Sequence, residues 1–348
     1  MAINLASDTI NKIYQHYKNT SDNGFRGHLG ASIIGKPCER AIWYDFRWCT
    51  PSDLEGRMYR LFQTGHLAED RFTSDLKAIG VKISTVNPRT GKQYQINACD
   101  GFFGGSLDGI GLGFPENPNQ KHVVEMKTHS DKSFKELKKK GVKKAKPQHY
   151  TQMQVYMSAS KIKHAFYIAV NKDNEELYGE FVDFDEDHAN EQYEKAARII
   201  ASDRPLARIN DEPSWYECKL CDHQAICHGE KAPAVNCRTC LHISAEEGGN
   251  WVCKRYNVTL TEQQQQCGCR SHLYIPDLLL NFAEALDAGE YWIEYKLKDT
   301  GEVFISGEDP GQFKSTEIRA VEDKNLLVDK DVNMLRDAFS AELTESEK

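Results

Sequence analysis

Two short segments carry acidic and basic residues at a spacing that suits phosphate chemistry. Asp108 stands in SLDGI, and Glu125 and Lys127 stand in VVEMKTH as the pattern E-x-K. Alternate residues of a strand share one face, so Glu125 and Lys127 are expected side by side. Two carboxylates can hold Mg²⁺ or Mn²⁺, which polarises a phosphate and activates a water, while a lysine stabilises the developing charge. Alone, E-x-K is more often a surface salt pair than an active site.

Two flanking motifs favour a catalytic interpretation. FQTGHLAEDRF places His66 and Glu69 three residues apart on one helical face, and QHYTQMQVYM places Gln152 and Tyr156 four residues apart on another. Taken singly, a buried histidine or a Gln–Tyr pair is more often packing than chemistry. Together with the acidic motifs they form a set of four motifs that follow one another across residues 60–156. It is this combination in this order, and no single motif, that indicates a catalytic function.

The ordered set resembles the motifs of the RecB-type branch of the PD-(D/E)XK nuclease superfamily: G-H with a following Glu, G-x-x-D-G or a close variant, E-x-K and Q-x-x-x-Y. The resemblance implies a restriction-endonuclease-like α/β fold, in which helices flank a mixed central sheet. It implies a catalytic set of Asp108, Glu125, Lys127, Gln152 and Tyr156. The metal ligands that it implies are His66, Asp108, Glu125 and the carbonyl of Met126. Gln152 and Tyr156 would orient the site or contact DNA, and Glu69 would support it.

The eleven cysteines predict metal sites before disulfides, because the interior of a cell keeps thiols reduced. WYECKLCDHQAICHG has the spacing C-x2-C-x5-C at Cys218, Cys221 and Cys227, and Cys38 is the leading candidate for a fourth thiolate. By residue type this site suits zinc or an iron–sulfur cluster equally. Two alternative ligands stand nearby, His223 and His228.

One cysteine before the nuclease motifs and three after them is an arrangement similar to that of iron–sulfur nucleases of the RecB-like group, including the CRISPR-associated spacer-processing family. The resemblance implies a 4Fe–4S cluster bound by Cys38, Cys218, Cys221 and Cys227. Such a cluster would close a very long loop and hold the C-terminal segment against the nuclease core. Its role would be that of a structural cross-link more than that of an electron carrier. Zinc is the alternative.

A second cysteine group predicts a closed zinc site. Its preferred ligands are Cys237, Cys240, Cys253 and Cys269. Cys269 is favoured over Cys267 because Gly268 eases the turn before it. Less favoured replacements are His242 and His272. The alternative role is direct DNA reading, if three basic residues share a face: Arg238, Lys254 and Arg255.

The net charge of −8 is unusual for a protein that binds nucleic acid, but the basic residues are clustered. KSFKELKKKGVKKAK, residues 132–146, holds eight lysines against one glutamate. A solvated face is the simplest interpretation of such a run. Because it lies between E-x-K and Q-x-x-x-Y, we expect it to overhang the active site and to contact DNA. The lysines expected to do so are Lys138, Lys139, Lys140, Lys143 and Lys144.

Apolar periodicity, glycine and proline predict the elements and domains. Helices are expected over Leu5–Tyr17, Arg57–Ile79, Pro147–Ser160 and Asp187–Ala201. Strands are expected at VKISTV, KQYQINA, FFGGSLDGIGL, HVVEMKTH, HAFYIAVN and LYGEFVDF. The predicted domains are a nuclease domain over residues 1–230, a zinc-binding segment over 231–275, and a small α/β segment over 276–348. The last contains a β-hairpin that turns near Thr300-Gly301 and a frayed tail, ELTESEK.

Cys49 and Cys99 have no partner at ligand spacing, and we expect them to be buried small hydrophobic residues. A redox enzyme is disfavoured because no G-x-G-x-x-G motif is present. No long apolar run or signal peptide is evident, which predicts a soluble cytoplasmic protein without membrane contact; a virus-encoded origin would fit equally.

These observations predict a DNA nuclease that uses Mg²⁺ or Mn²⁺. The expected activity is that of an exonuclease on DNA ends or single strands, in recombination, repair or replication and with protein partners from those processes. One alternative is a structure-specific endonuclease. Another is a DNA-binding or scaffold protein whose nuclease centre is idle, although the intact set of Asp108, Glu125 and Lys127 argues against it.

Overall fold

The computed structural model describes residues 6–21, 25–51 and 54–344. The chain forms two compact units, the first from Met1–Gly35 and Ser52–Ala196 and the second from Lys36–Pro51 and Ala197–Lys348. The boundaries predicted at residues 230 and 275 therefore both lie inside the second unit. Leu5 of the first predicted helix and residues 345–348 of the predicted tail lie outside the described residues.

A mixed five-stranded sheet forms the centre of the first unit, with strand order β2-β5-β6-β7-β8. The strands are β2 (Lys82–Ser84), β5 (Gly109–Phe114), β6 (Asn117–His129), β7 (His164–Asn171) and β8 (Leu177–Asp183). Only β6 and β7 are parallel; the other three pairs of neighbours are antiparallel. The first unit also has a three-stranded sheet in the order β1-β4-β3. Its strands are β1 (Leu29–Gly30), β3 (Gln95–Ala98) and β4 (Phe103–Ser106).

Helices flank the central sheet, as the sequence predicts for this α/β fold class. Helices α3 (Gly56–Ala78), α4 (Asp131–Ala145) and α5 (Pro147–Ser160) contact its strands, α1 (Ser7–Thr20) packs on α3, and α6 (Glu186–Ala201) follows β8. Parallel strands need a long crossover connection, and α4 and α5 supply it between β6 and β7. Phe72 and Leu76 of α3 pack in one apolar cluster with Val124 and Met126 of β6, which fixes that helix against the sheet.

The strand expected at FFGGSLDGIGL is two strands that belong to different sheets. The break falls at Leu107 and Asp108, between β4 and β5. Leu107 is buried, and the Asp108 side chain accepts a hydrogen bond from the Met126 amide of β6 instead of continuing the strand. The single-strand prediction was wrong because alternation of apolar residues and glycine carries no signal for a change of sheet.

The second unit combines short helices with two antiparallel sheets. The helices are α2 (Glu39–Phe46), α7 (Tyr216–Lys219), α8 (Gln224–Cys227), α9 (Glu262–Gln266), α10 (Ser315–Ala320) and α11 (Lys330–Phe339). One sheet contains β9 (Ile243–Glu246), β10 (Asn250–Cys253) and β11 (Val258–Leu260). The other contains β12 (Ala283–Ala288), β13 (Trp292–Leu297) and β14 (Val303–Gly307). The predicted hairpin corresponds to β13–β14, with Gly301 of its loop at φ 73°. None of the described helices is long and apolar enough to cross a bilayer.

Candidate active site and cysteine groups

Three of the predicted catalytic side chains converge at the centre of the five-stranded sheet. Glu125 and Lys127 share one face of β6, and the buried Glu125 carboxylate forms an ion pair with the Lys127 ammonium. Lys127 Nζ also lies 3.9 Å from Asp108 Oδ2. That oxygen accepts a hydrogen bond from the Met126 amide at 2.8 Å, which fixes the aspartate at the end of its loop. The structure thus brings a carboxylate from the loop before β5 and one from β6 to one ammonium group.

Burial controls the electrostatics of this trio. The pKa of Glu125 is raised to about 7: burial raises it most, Lys127 lowers it, and Asp108 raises it. Burial alone would lower the pKa of Lys127, but Glu125 and Asp108 together raise it above its usual value. Oε1 of Glu125 faces the ammonium, whereas Oε2 is buried and accepts no hydrogen bond from any described residue. A buried carboxylate oxygen without a donor, beside a second carboxylate, fits a divalent cation.

The two residues predicted on α3 differ in exposure. Glu69 is half-buried; burial raises its pKa, Asp108 raises it further, and His66 and Lys127 lower it. Glu69 therefore belongs to the same electrostatic group as the trio. His66 is exposed on the helix surface. Within the described part of the chain, no three His, Cys, Asp or Glu side chains already stand as a metal-binding group, so metal ligation at every predicted site stays a prediction.

Gln152 and Tyr156 lie one turn apart on α5, and both are buried. Gln152 Nε2 donates a hydrogen bond to Tyr156 Oη at 3.0 Å. Burial raises the pKa of Tyr156, and the neighbouring Glu125 raises it further, so the phenol lies close to the acidic centre. Gly105 was not among the predicted site residues. Its lack of a side chain makes room for the Tyr156 ring, since a Cβ there would lie 2.8 Å from Tyr156 Oη. Its position as the first glycine of G-x-x-D-G was the available signal.

A second group missed by the sequence argument adjoins the lysine. His129 follows Glu125 and Lys127 on the same face of β6, because each is two residues after the last. Tyr167 Oη lies 2.8 Å from His129 Nε2 and 2.9 Å from His149 Nδ1. The three rings are stacked, with interplanar angles of 25–29°. The pattern E-x-K-x-H and the histidine one turn before Gln152 were the signals that could have revealed them.

The lysine run forms α4, which is kinked at Gly141, where φ is 71°. Three of its five predicted DNA-binding lysines are already paired: Lys138 with Glu176, Lys140 with Glu136, and Lys143 with Asp185. Lys139 and Lys144 are exposed and have no ion-pair partner within residues 6–21, 25–51 and 54–344. Acidic neighbours thus neutralise much of the run, and Lys139 and Lys144 are the available charges among the five predicted DNA-binding lysines.

The first cysteine group lies entirely in the second unit. Its four predicted ligands line one cavity of about 30 Å³: Cys38, Cys218, Cys221 and Cys227. Burial raises the pKa of Cys218, as do the nearby Cys227 and Cys38 thiols, which reflects their mutual proximity. His223 lines the same cavity, but its Nε2 lies 3.0 Å from Asp45 Oδ1 and its Nδ1 lies 2.8 Å from Thr50 Oγ1. Both ring nitrogens are therefore engaged, which disfavours His223 as an alternative ligand.

The second group also surrounds one small cavity, of about 20 Å³. It is lined by the four preferred cysteines: Cys237, Cys240, Cys253 and Cys269. Cys267 is exposed and does not line it. Burial and the neighbouring Cys240 and Cys269 thiols raise the pKa of Cys237 to about 12. Two histidine nitrogens in the same wall, His242 Nε2 and His272 Nδ1, are buried without hydrogen-bond partners among the described residues.

Arg238 does not lie where a DNA-reading role would need it. It is 1 % exposed, its guanidinium lies 3.6 Å from the Trp48 ring centre, and it donates two hydrogen bonds to Gln265 Oε1. It therefore cannot share an exposed face with Lys254 and Arg255, and this part of the alternative was wrong. The sequence could not reveal this burial, because an arginine in a polar, cysteine-rich segment is normally expected to be exposed.

The two remaining cysteines differ. Cys49 is 0 % exposed, in agreement with its predicted role as a buried small residue. Cys99 is only half-buried, so that prediction was wrong for it. Cys99 begins a one-turn helix over Cys99–Gly101 and has a φ of 47°, which places it on a turn instead of in the core.

No family model matches the sequence, and no curated protein matches it. Among solved structures, the protein SSO0001 is similar at 16% identity and a TM-score of 0.39, over 64% of this chain and 96% of that one. The alkaline exonuclease LHK-Exo from Laribacter hongkongensis is similar at 16% identity and a TM-score of 0.37, over 55% and 90%. LHK-Exo in complex with dAMP gives 14% identity and a TM-score of 0.33, over the same shares. At these scores the similarity supports no statement about activity.

Proposed function

We propose that this chain is a metal-dependent nuclease that hydrolyses the phosphodiester bonds of DNA. One observation carries the proposal: a completely buried Glu125, with one oxygen on the Lys127 ammonium and the other without a donor, next to Asp108. Burying a carboxylate costs several kcal/mol, as an order of magnitude, and is recovered only with good partners. A half-partnered carboxylate in such a place favours a binding role over a purely structural one.

Asp108, Glu125 and the Met126 carbonyl, with His66, would hold Mg²⁺ or Mn²⁺. When bound, the ion supplies Lewis acidity toward the phosphate and lowers the pKa of its water. Lys127 has a raised pKa and is therefore protonated at neutral pH. Its ammonium can only donate hydrogen bonds, so we assign it to stabilising charge on a phosphate oxygen or orienting the water, and exclude it as a base. Gln152 holds the Tyr156 hydroxyl in position behind the acidic centre.

The finer proposal is an exonuclease that acts on DNA ends or single strands in recombination, repair or replication. It is supported by the ordered motifs across residues 60–156 and by the exposed, unpaired charges of Lys139 and Lys144. A structure-specific endonuclease would use the same centre. A catalytically idle DNA-binding or scaffold protein is the alternative of another class. The complete trio at Glu125 favours catalysis over that alternative.

The two cysteine groups are proposed as structural metal sites. Cys38, Cys218, Cys221 and Cys227 would bind a 4Fe–4S cluster; the shared cavity supports this set of four ligands, and the choice of the cluster over zinc rests on the motif resemblance. Cys237, Cys240, Cys253 and Cys269 would bind Zn²⁺, which a second shared cavity supports. Each site would join segments that are distant in sequence, and binding energy of that kind adds directly to folding energy.

The proposal is tested by incubating the purified protein with linear end-labelled DNA, single- and double-stranded, and with circular DNA, in Mg²⁺ or Mn²⁺. Cleavage of linear DNA alone, in steps from an end, indicates an exonuclease, and cleavage of circles indicates an endonuclease. Lys127→Ala should abolish either activity, and Lys121→Ala, an exposed lysine of the same strand, serves as the matched control. DNA binding without cleavage by the wild-type protein would contradict the proposal in favour of the idle alternative.

A further inference from the structure

The Tyr167 hydroxyl lies between two histidines. Because it has a single proton, the two histidine nitrogens that face it must differ in protonation. Its oxygen is 2.8 Å from His129 Nε2 and 2.9 Å from His149 Nδ1. A phenol can donate its proton to only one of these nitrogens and must accept a hydrogen bond from the other. One histidine is therefore protonated on the nitrogen that faces Tyr167, and the other is not.

Ser133 and Lys146 together favour one of the two arrangements. Lys146 Nζ donates to Ser133 Oγ at 2.7 Å, and an ammonium group has no capacity to accept. Ser133 Oγ lies 3.2 Å from His129 Nδ1 and has no other acceptor among the described residues, so its proton is paired only if it points to that nitrogen. Neutral His129 then carries its proton on Nε2 and donates it to Tyr167. The tyrosine in turn donates to His149 Nδ1.

This chain of hydrogen bonds leaves His149 with its proton on Nε2. Both histidines are neutral at physiological pH. Burial, Lys127, His129 and Lys146 together lower the pKa of His149 to about 3. Burial, Lys146, Lys127 and Lys172 lower the pKa of His129 to about 4. The far nitrogen of His149 is thus a fixed N–H donor rather than a base.

His149 lies on the same helix, α5, as Gln152 and Tyr156. His149 precedes Gln152 by three residues and Tyr156 by seven on α5, so the three side chains share one helical face. Tyr156 and Gln152 are buried, whereas His149 is only half-buried. Its Nε2 makes no hydrogen bond to any described residue. It is also not one of the buried polar atoms that lack a partner, so this nitrogen is accessible to solvent. Among the neighbouring charges, Lys127 has the largest effect on the pKa of His149.

We infer that His149 is a substrate-binding residue, whose Nε2–H donates to a phosphate oxygen of the DNA strand beside Lys127. The inference rests on the proposed nuclease function. Tyr167, His129, Ser133 and Lys146 act through His149 and are positioning residues. Their effect is to present a neutral donor at a site that already holds one ammonium and two carboxylates.

Binding is measured with a fluorescent single-stranded oligonucleotide in Ca²⁺, a hard cation used here in place of Mg²⁺. His149→Phe should weaken binding about tenfold, which is the usual cost of losing a hydrogen bond to a charged group. His149→Gln retains an N–H donor and should stay within about threefold of wild type. His164→Phe, at a half-exposed histidine that begins β7 of the same sheet, is the matched control and should not change the affinity. Unchanged affinity in a folded His149→Phe protein would overturn the inference.

The tautomer supplies a readout that a merely structural ring would not give. Long-range ¹H–¹⁵N NMR should show His149 protonated on Nε2 and unprotonated on Nδ1. Observation of the Nδ1–H tautomer would overturn the inference. Neither measurement requires cleavage. A protein that binds DNA through His149 but never cleaves it would refute the nuclease proposal alone, whereas a cleaving enzyme indifferent to His149→Phe would refute this inference alone.

Discussion

The hydroxyl of Tyr156 lies directly against the backbone of Gly105: a Cβ at residue 105 would stand 2.8 Å from Tyr156 Oη and 3.0 Å from Cε1. Real Cβ atoms almost never approach other atoms so closely, so the ring must move if the glycine is replaced. Since the ring lies beside Glu125 and Asp108, this close contact couples a backbone position of β4 to the candidate catalytic centre.

Gly105→Ala is therefore expected to reduce cleavage about tenfold or more, through displacement of Tyr156. It should also lower the free energy of unfolding by about 1–3 kcal/mol, the usual cost of overpacking. Gly65→Ala is the matched control for stability, because Gly65 is helical and nothing lies within 4 Å of its Cβ position. That control should gain up to about 1 kcal/mol of helix stability. Equal urea midpoints for both variants would contradict the predicted clash.

Arg238 should be a major determinant of stability in the second unit. It is 1 % exposed, contacts the face of Trp48 and donates to Gln265 and to the Phe46 carbonyl. Arg238→Ala removes a large buried side chain together with its hydrogen bonds to Gln265 and Phe46, so we expect the free energy of unfolding to fall by about 3 kcal/mol. Arg204→Ala, with a side chain 66% exposed, should change it by less than about 0.5 kcal/mol. Chemical denaturation measures both, and similar small effects would contradict the buried role.

Stability should decrease on mild acidification because of His129 and His149. In the folded protein their pKa values are lowered to about 4 and about 3, whereas an unfolded histidine titrates near 6.5. Between those values the unfolded chain binds more protons than the folded chain, so the free energy of unfolding falls as pH drops below about 6.5. His129→Gln should make urea midpoints measured at several pH values less dependent on pH. An identical pH dependence in this variant would show that His129 is not held neutral.

Zinc content should separate two neighbouring cysteines. Cys269 lines the second cysteine cavity and Cys267 does not, although both are exposed. Cys269→Ser is expected to lose most bound zinc, because a tetrahedral site needs all four thiolates. Cys267→Ser should retain it. Metal analysis of protein purified without chelator measures both, and the reverse order would assign the fourth ligand to Cys267.

Iron content should depend on Cys38, which is far in sequence from its three partners. Cys38→Ser is expected to abolish or strongly reduce the visible absorption and the iron and sulfide content of protein purified without oxygen. Cys99→Ser removes a half-buried cysteine outside both groups and should retain them. A colourless wild-type protein that contains zinc at this site would contradict the iron–sulfur assignment while retaining the four ligands.

Local patterns predicted much of the site, and long-range packing supplied the remainder. The two-residue period of strands placed Glu125 beside Lys127, and helical spacing placed Gln152 below Tyr156; both depend only on near neighbours. The change of sheet at Asp108 depends on a bond to Met126, eighteen residues away, which no local pattern encodes. The burial of Arg238 likewise depends on Trp48 and Gln265 from distant segments.

The most direct test of the central claim is the single-turnover cleavage rate of Glu125→Gln against wild type, with linear DNA and saturating Mg²⁺. The substitution preserves the shape of the side chain but removes its charge, so both the cation site and the Lys127 ion pair are lost. We predict a rate reduced by about 1,000-fold or more, with an unchanged fold by circular dichroism. A variant that cleaves within about tenfold of wild type would show that the buried carboxylate is structural and that the catalytic centre lies elsewhere.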